Sequence, residues 1–184
     1  MKRTIIGSLL AALVVFTWGF VFWNVLPPAW SVRAPVEQAD QLSAELQKHL
    51  PSSGTYALPH PATFGGDTAA AGEAYLQGPI ATIQYHAEGA PVVSGGKLGS
   101  GFVHIFITAF LIATLLGWVA SSVPSYGARV KVVVLAGFAA AFFAHLDDPI
   151  WYLHSWGFEF YHFAYDFTSW VIYGLILGKF TGDN

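Results

Sequence analysis

Histidines and carboxylates occur together in the apolar C-terminal half of the chain, where ionisable side chains are otherwise uncommon. They are His104, His145, Asp148, Glu159, His162 and Asp166. His162 and Asp166 are four residues apart and share one face of a helix, where they could supply two ligands to one cation. Imidazole and carboxylate ligands without thiolate suit Zn, Fe or Cu(II). The sequence therefore predicts a divalent metal site formed from these residues.

Other interpretations of the same residues remain open. Glu159 and His162 have the Glu-x-x-His spacing of carboxylate-bridged di-iron bundles, but the second motif of those bundles is missing. Haem b held by two histidines is a poorer fit, because the histidines lie near the ends of their apolar segments. A proton or ion path would need matching ionisable residues in the opposite halves of those segments, which carry only Lys131 and Lys179, at their ends. Without any ligand, the polar residues would simply anchor helices at a membrane interface.

Four apolar segments must position these residues. They cover approximately residues 4–26, 98–120, 130–150 and 160–180. Each is close to the ~20 residues that a helix needs to cross ~30 Å of hydrocarbon, and a helix satisfies its own backbone hydrogen bonds in lipid. With 54% hydrophobic and 10% charged residues, the composition predicts an all-α membrane protein with four transmembrane helices. At ~1.5 Å per residue, His104, His145 and His162 would lie at similar depth, roughly 3–9 Å from the same membrane face.

Basic residues indicate how the chain crosses the membrane. Five of the eight Lys and Arg residues lie at span ends that would share one side, namely Lys2, Arg3, Arg129, Lys131 and Lys179. Because basic residues are retained on the cytoplasmic side, we predict a multi-pass protein of the bacterial inner membrane. Both termini would be cytoplasmic and residues 27–99 extracytoplasmic.

The first span is predicted to be an uncleaved anchor over residues 1–26. Its apolar run is longer than the hydrophobic region of a signal peptide, and no Ala-x-Ala-like cleavage site precedes Pro27. Gly7, Ala11 and Gly19 would let another helix approach this span closely. Residues 100–184 are predicted to form a three-helix transmembrane region.

Residues 27–99 are predicted to form a small α/β insertion between the first two spans. Apolar residues recur at helical spacing between Val36 and Leu50, and Pro51 ends the pattern, which predicts one amphipathic helix. Residues 55–58 and 80–86 are short β-type runs that could pair as a small sheet. Residues 62–72 are predicted to be a loop.

Several classes of function are disfavoured. The chain has no cysteine, so disulfides, thiolate metal sites and cysteine nucleophiles are excluded. A net charge of −3 without a basic patch gives no reason to expect nucleic acid as a partner. No nucleophile elbow, phosphate-binding glycine loop or dinucleotide fingerprint is present. The sequence gives little support for an enzyme.

Several short motifs resemble a group of small, uncharacterised bacterial inner-membrane proteins with four spans. The motifs are Trp18-Gly19 and Trp23 running into Leu26-Pro27, residues 54–56 with Pro59, residues 78–80 followed by Tyr85-His86, and residues 126–129. The resemblance implies four transmembrane helices with an external insertion between the first two, and it implies no activity. The histidines of the third and fourth spans are not part of it.

Three functions therefore fit the sequence. The first is a non-catalytic accessory or structural subunit of a larger membrane complex, because the chain is small and its external segment is too poor in large apolar residues to build a core alone. The second is a metal- or haem-binding membrane protein that uses the His/carboxylate residues at the outer membrane face. The third is an oligomeric transporter or channel component. The predicted partners are the lipid bilayer and either other membrane proteins or further copies of this chain.

Overall fold

The computed structural model describes residues 2–26 and 33–181. The helices are α1 (Lys2–Asn24), α2 (Ala39–His49), α3 (Thr68–Gln77), α4 (Gly95–Trp118), α5 (Tyr126–His145), the single turn α6 (Asp148–Trp151) and α7 (Trp156–Phe180). The strands are β1 (Gly54–Leu58) and β2 (Ala81–Tyr85). The chain divides into two compact units, one formed by Met1–Ala34 with Val93–Asn184 and the other by Pro35–Val92.

Three helical segments are long and apolar enough to cross a membrane. They are α1, α4 and the segment Tyr126–Trp151, which contains α5 and α6. The prediction of a mostly helical protein with apolar helices that could span a membrane is thus confirmed for three segments. The fourth apolar segment also folds as one helix, the 25-residue α7, but it is not among the three segments that are apolar enough. Its role as a fourth span remains a prediction.

The long helices form the first unit by packing on one another. Helix α1 lies against α4 and α7, and α5 lies along α7. Their shared core contains Ala11, Val15, Ala109, Ile112, Ala113, Leu116, Val133, Tyr173 and Leu177. Small residues at these contacts let the helix backbones approach closely. Burial of small and aliphatic residues therefore holds α1, α4 and α7 together.

Glycines mark the closest helix contacts. A Cβ atom added at Gly7 would lie 2.7 Å from the Cβ of Phe180, and one added at Gly19 would lie 3.0 Å from the Tyr165 hydroxyl oxygen. On α5, a Cβ at Gly137 would overlap the side chain of Trp170. The prediction that small residues of the first span admit another helix is thus confirmed, and that helix is α7.

Arg129 ties the start of α5 to the end of α7. Its guanidinium donates hydrogen bonds to the backbone carbonyls of Val123, Pro124 and Gly178, and the residue is only 6% exposed. A cation at the C-terminal carbonyls of a helix is favourable because the helix dipole is negative there. Arg129 therefore fixes the position of α7 at the end of the bundle away from its first turn.

The second unit contains the predicted sheet and the amphipathic helix. Strands β1 and β2 pair antiparallel with Tyr56 opposite Ile83, and α2 covers most of the segment predicted to be helical. The loop predicted over residues 62–72 is wrong in part, because a short 3-10 helix covers Pro61–Phe64 and α3 begins at Thr68. The side chain of Asp67 accepts hydrogen bonds from the backbone N–H groups of Ala69 and Ala70 and so caps this helix.

Candidate metal centre

A break in the helices between α5 and α7 builds the candidate site. Helix α5 ends at His145, and Pro149 lies in the first turn of α6, where its missing N–H is tolerated. Leu153 then adopts a left-handed backbone conformation with φ of 58°, which costs a non-glycine residue about 1–2 kcal/mol. These features reverse the chain direction and bring Asp148 and His154 next to Glu159 in the first turn of α7.

Asp148, His154 and Glu159 form a compact group of potential ligands. One ligand atom from each lies within 4.8 Å of the others. The Nδ1 atom of His154 is 2.8 Å from Glu159 Oε1 and 3.6 Å from Asp148 Oδ2. Protein ligands bind Zn²⁺ at about 2.0–2.2 Å, so one cation among these atoms could contact all three after small side-chain adjustments. We refer to these three residues as the metal triad.

The metal triad is buried on one side and open on the other. The Glu159 side chain is 4% exposed, whereas that of His154 is 36% exposed. Three protein ligands leave coordination positions free, as in catalytic rather than structural zinc sites. The arrangement can therefore hold a cation while leaving its open side to water or to another small ligand.

His145 connects the metal triad to Asp166. Its Nδ1 atom is 3.5 Å from Glu159 Oε2, and its Nε2 atom is 2.8 Å from Asp166 Oδ2. Glu159 thus faces His154 with one carboxylate oxygen and His145 with the other. Such contacts to a ligating carboxylate usually orient it and tune its affinity for metal. His145 and Asp166 are accordingly placed to position Glu159.

His162 lies beside this network without a hydrogen bond to it. Its ring centroid is 5.7 Å from that of His145, and it packs against Phe158 and Trp23 at 4.4 and 5.0 Å. Within residues 2–26 and 33–181, its Nε2 atom is buried and has no hydrogen-bond partner. Among the described residues, no hydrogen bond or ion pair joins His162 to Glu159, so their Glu-x-x-His spacing stays a prediction.

His104 occupies a different place. It is exposed on α4 and lines a cavity of about 290 Å³ together with Asp166. The structure gives it no hydrogen bond or ion pair with the metal triad among the described residues. Of the six residues predicted from sequence, His145, Asp148, Glu159 and Asp166 thus join one network, while His162 and His104 stand apart.

His154 is the residue that sequence reasoning left outside the ligand set. It contacts both carboxylates of the metal triad, although it lies in the turn between α6 and α7. The available signal was its place between two predicted ligands, Asp148 and Glu159. The turn conformation at Leu153 decides where its imidazole lies, and nothing in the sequence pattern specified that turn.

The network lacks a permanent cationic partner. In the parts of the chain that the structure describes, every ion pair of Asp148, Glu159 and Asp166 is made to a histidine. Arg33 lies 5.1 Å from the ring of Phe158 rather than on a carboxylate. A buried charge is costly unless it is paired. A divalent cation bound between Glu159 and Asp148 would supply such a partner.

Comparison with protein-family models, with curated proteins and with solved structures finds no match to this chain. The resemblance to small bacterial inner-membrane proteins stays a prediction from the sequence.

Proposed function

We propose that this protein is a membrane protein that binds one divalent transition-metal ion, Zn, Fe or Cu, through Asp148, His154 and Glu159. The observation that carries the proposal is the convergence of these three ligand atoms within 4.8 Å around a buried glutamate. One divalent cation would neutralise the two carboxylates of the metal triad, which no lysine or arginine in the described segments pairs with. Haem b has less support, because the histidines here contact carboxylates rather than facing each other across an open slot.

The proposed location of the metal is the extracytoplasmic end of the helices in a bacterial inner membrane. This placement combines three apolar helical segments with α7 as a fourth span and both termini on the cytoplasmic side. The packing of α7 along α1 and α5 supports its membrane assignment. Residues 27–99 and the turn that carries His154 would then face the outside, where a metal ion can reach the open side of the triad.

The test is metal titration of purified protein after treatment with a chelator. Co(II) serves as the probe because its visible absorption reports ligand geometry, and Zn(II) is added in competition. We expect one Co(II) per chain, displaced by Zn(II). Glu159→Gln keeps the side-chain shape but removes the charge. It should weaken Co(II) binding on the order of 100-fold or more, since changing even a residue that only contacts a metal ligand costs about 10–100-fold in metal affinity.

Glu73→Gln is the matched control, because Glu73 is an exposed carboxylate on α3. It should bind Co(II) as the wild type does. Unchanged binding by Glu159→Gln, or no saturable site in the wild type, would overturn the proposed function.

A further inference from the structure

A polar cavity lies beside the network and is not part of the metal triad. It has a volume of about 290 Å³ and is lined by residues of α1, α4 and α7. Its walls combine aromatic rings of Tyr165, Trp170 and Tyr173 with the imidazole of His104 and the carboxylate of Asp166. This volume is at the lower end of the range for small-molecule sites and suits a ligand with a single ring.

Two ionisable side chains of the cavity wall, His104 and Asp166, retain hydrogen-bonding capacity. The hydroxyls of Thr108, Ser169 and Tyr173 already donate to backbone carbonyls of α4 and α7. Asp166 uses Oδ2 for His145, and its side chain is still 42% exposed. Among the described residues, the His104 side chain and the second oxygen of Asp166 make no hydrogen bond. A ligand would therefore be recognised by one group from α4 and one from α7.

These two groups lie at equal depth within parallel helices. His104 is nine residues into α4 and Asp166 ten residues into α7, which corresponds to about 14 and 15 Å along the helix axes. In the membrane placement proposed above, both positions fall within the hydrocarbon region. The ligand is thus expected to be lipid-soluble, and this step depends on that placement but not on the metal.

The chemistry of the walls narrows the ligand class. An ionised carboxylate accepts hydrogen bonds and repels anions, so fatty acids and phosphate headgroups are disfavoured. A metal ion would find two ligating side chains instead of the three of the metal triad. An organic ammonium ion could bind Asp166 but would make no hydrogen bond to His104. Moving its charge into the hydrocarbon region also costs free energy.

We propose that the cavity binds the head group of a quinol, a neutral aromatic ring with two hydroxyl groups. One hydroxyl donates to Asp166, the other hydrogen-bonds to His104, and the ring packs among Tyr165, Trp170 and Tyr173. Because Asp166 accepts and does not donate, the cavity prefers the quinol to the corresponding quinone, which offers acceptors only.

The test uses chelator-treated protein in lipid nanodiscs, titrated without oxygen with decylubiquinol and, separately, with decylubiquinone. Quenching of tryptophan fluorescence reports binding, because Trp170 lies in the cavity wall. We expect saturable quinol binding at least 10-fold tighter than quinone binding. Asp166→Asn and His104→Leu should each weaken quinol binding about 10-fold, as expected for a lost hydrogen bond to a charged or buried group.

His86→Leu and Asp40→Asn are matched controls, because both residues are exposed in the second unit. They should leave quinol binding unchanged. Equal quenching by quinol and quinone, or equal binding by the cavity variants and their controls, indicates partition into lipid and overturns the proposal. The comparison of quinol with quinone in the wild type needs no variant, so misfolding of a variant does not remove the test. Loss of the metal site leaves these outcomes unaffected, since the protein is metal-free throughout.

Discussion

Glu159 is the residue on which the candidate site depends. It is the most buried of the three carboxylates in the network, and its two oxygens face two different histidines. A charged group in this position is stabilised only by what surrounds it. Its location in the first turn of α7 is also favourable, because the positive end of the helix dipole lies there.

Histidine substitutions test whether His154, which the structure places in the metal triad, or His104, which the sequence predicted, binds the metal. His154→Ala removes a ligand of the metal triad and should weaken Co(II) binding on the order of 100-fold or more, whereas His104→Ala should leave it within about twofold, because His104 lines the cavity instead. Co(II) titration of both proteins provides the measurement. Equal losses of Co(II) affinity in the two variants would show that His104 binds the metal as His154 does, and would contradict the metal triad as the ligand set.

At the residue scale, the sequence predicted four members of the network but not their geometry. His145, Asp148, Glu159 and Asp166 stood out because ionisable residues are rare in apolar segments. Depth along a helix was predictable from the rise per residue, and it correctly grouped residues near one end. The rotation of each helix about its axis was not predictable, and that rotation places His104 on the cavity wall and His162 against Trp23 of α1.

At the scale of elements, the contact of α5 with α7 holds the network together, because His145 and Asp166 lie on these two helices. Gly137 lets the helices meet at Trp170. Gly137→Ala should therefore destabilise the protein, by about 1–3 kcal/mol as is typical of overpacked cores. Thermal unfolding of the purified protein measures the change.

Gly127→Ala is the matched control on the same helix, since a Cβ there meets nothing within 4 Å among the described residues. It should be neutral or slightly stabilising, because alanine favours helix more than glycine does. A Gly137→Ala protein as stable as the Gly127→Ala protein would show that α5 and α7 do not pack as described.

Long apolar runs made the major helices predictable, whereas the shorter elements depended on local detail. Helix α3 was missed because its alanines and glycine carry no clear apolar period. The predicted third span ran to about residue 150, but α5 ends at His145 and a separate turn follows. Pro149 lies just after this break, in the first turn of α6.

At the scale of the whole molecule, the orientation in the membrane is the least constrained feature. The absence of cysteine in the chain provides a clean background for labelling. In a Glu88→Cys variant, the cysteine should react with a membrane-impermeant maleimide in intact spheroplasts. In a Ser121→Cys variant, with the cysteine between α4 and α5, it should react only after lysis. The reverse pattern would place the metal triad on the cytoplasmic side and contradict the proposed placement.

The predicted roles as an accessory subunit, a homo-oligomer or a transporter component concern partners, and these roles stay predictions. Exposed apolar side chains such as Leu135 and Phe143 suit lipid as well as another helix. Composition predicted contact with a membrane because that depends on summed hydrophobicity. The identity of a protein partner depends on the shape of the folded surface, which the spacing of apolar residues in the sequence does not specify.

The most direct test of metal binding is elemental analysis of protein extracted gently from its native membrane, with partners retained. The account predicts about one divalent transition-metal ion per chain in the wild type and little or none in Glu159→Gln of equal helical content. Wild-type protein without metal, or equal metal in both proteins, would contradict it. Metal-free protein accompanied by other polypeptides would instead favour the accessory-subunit role.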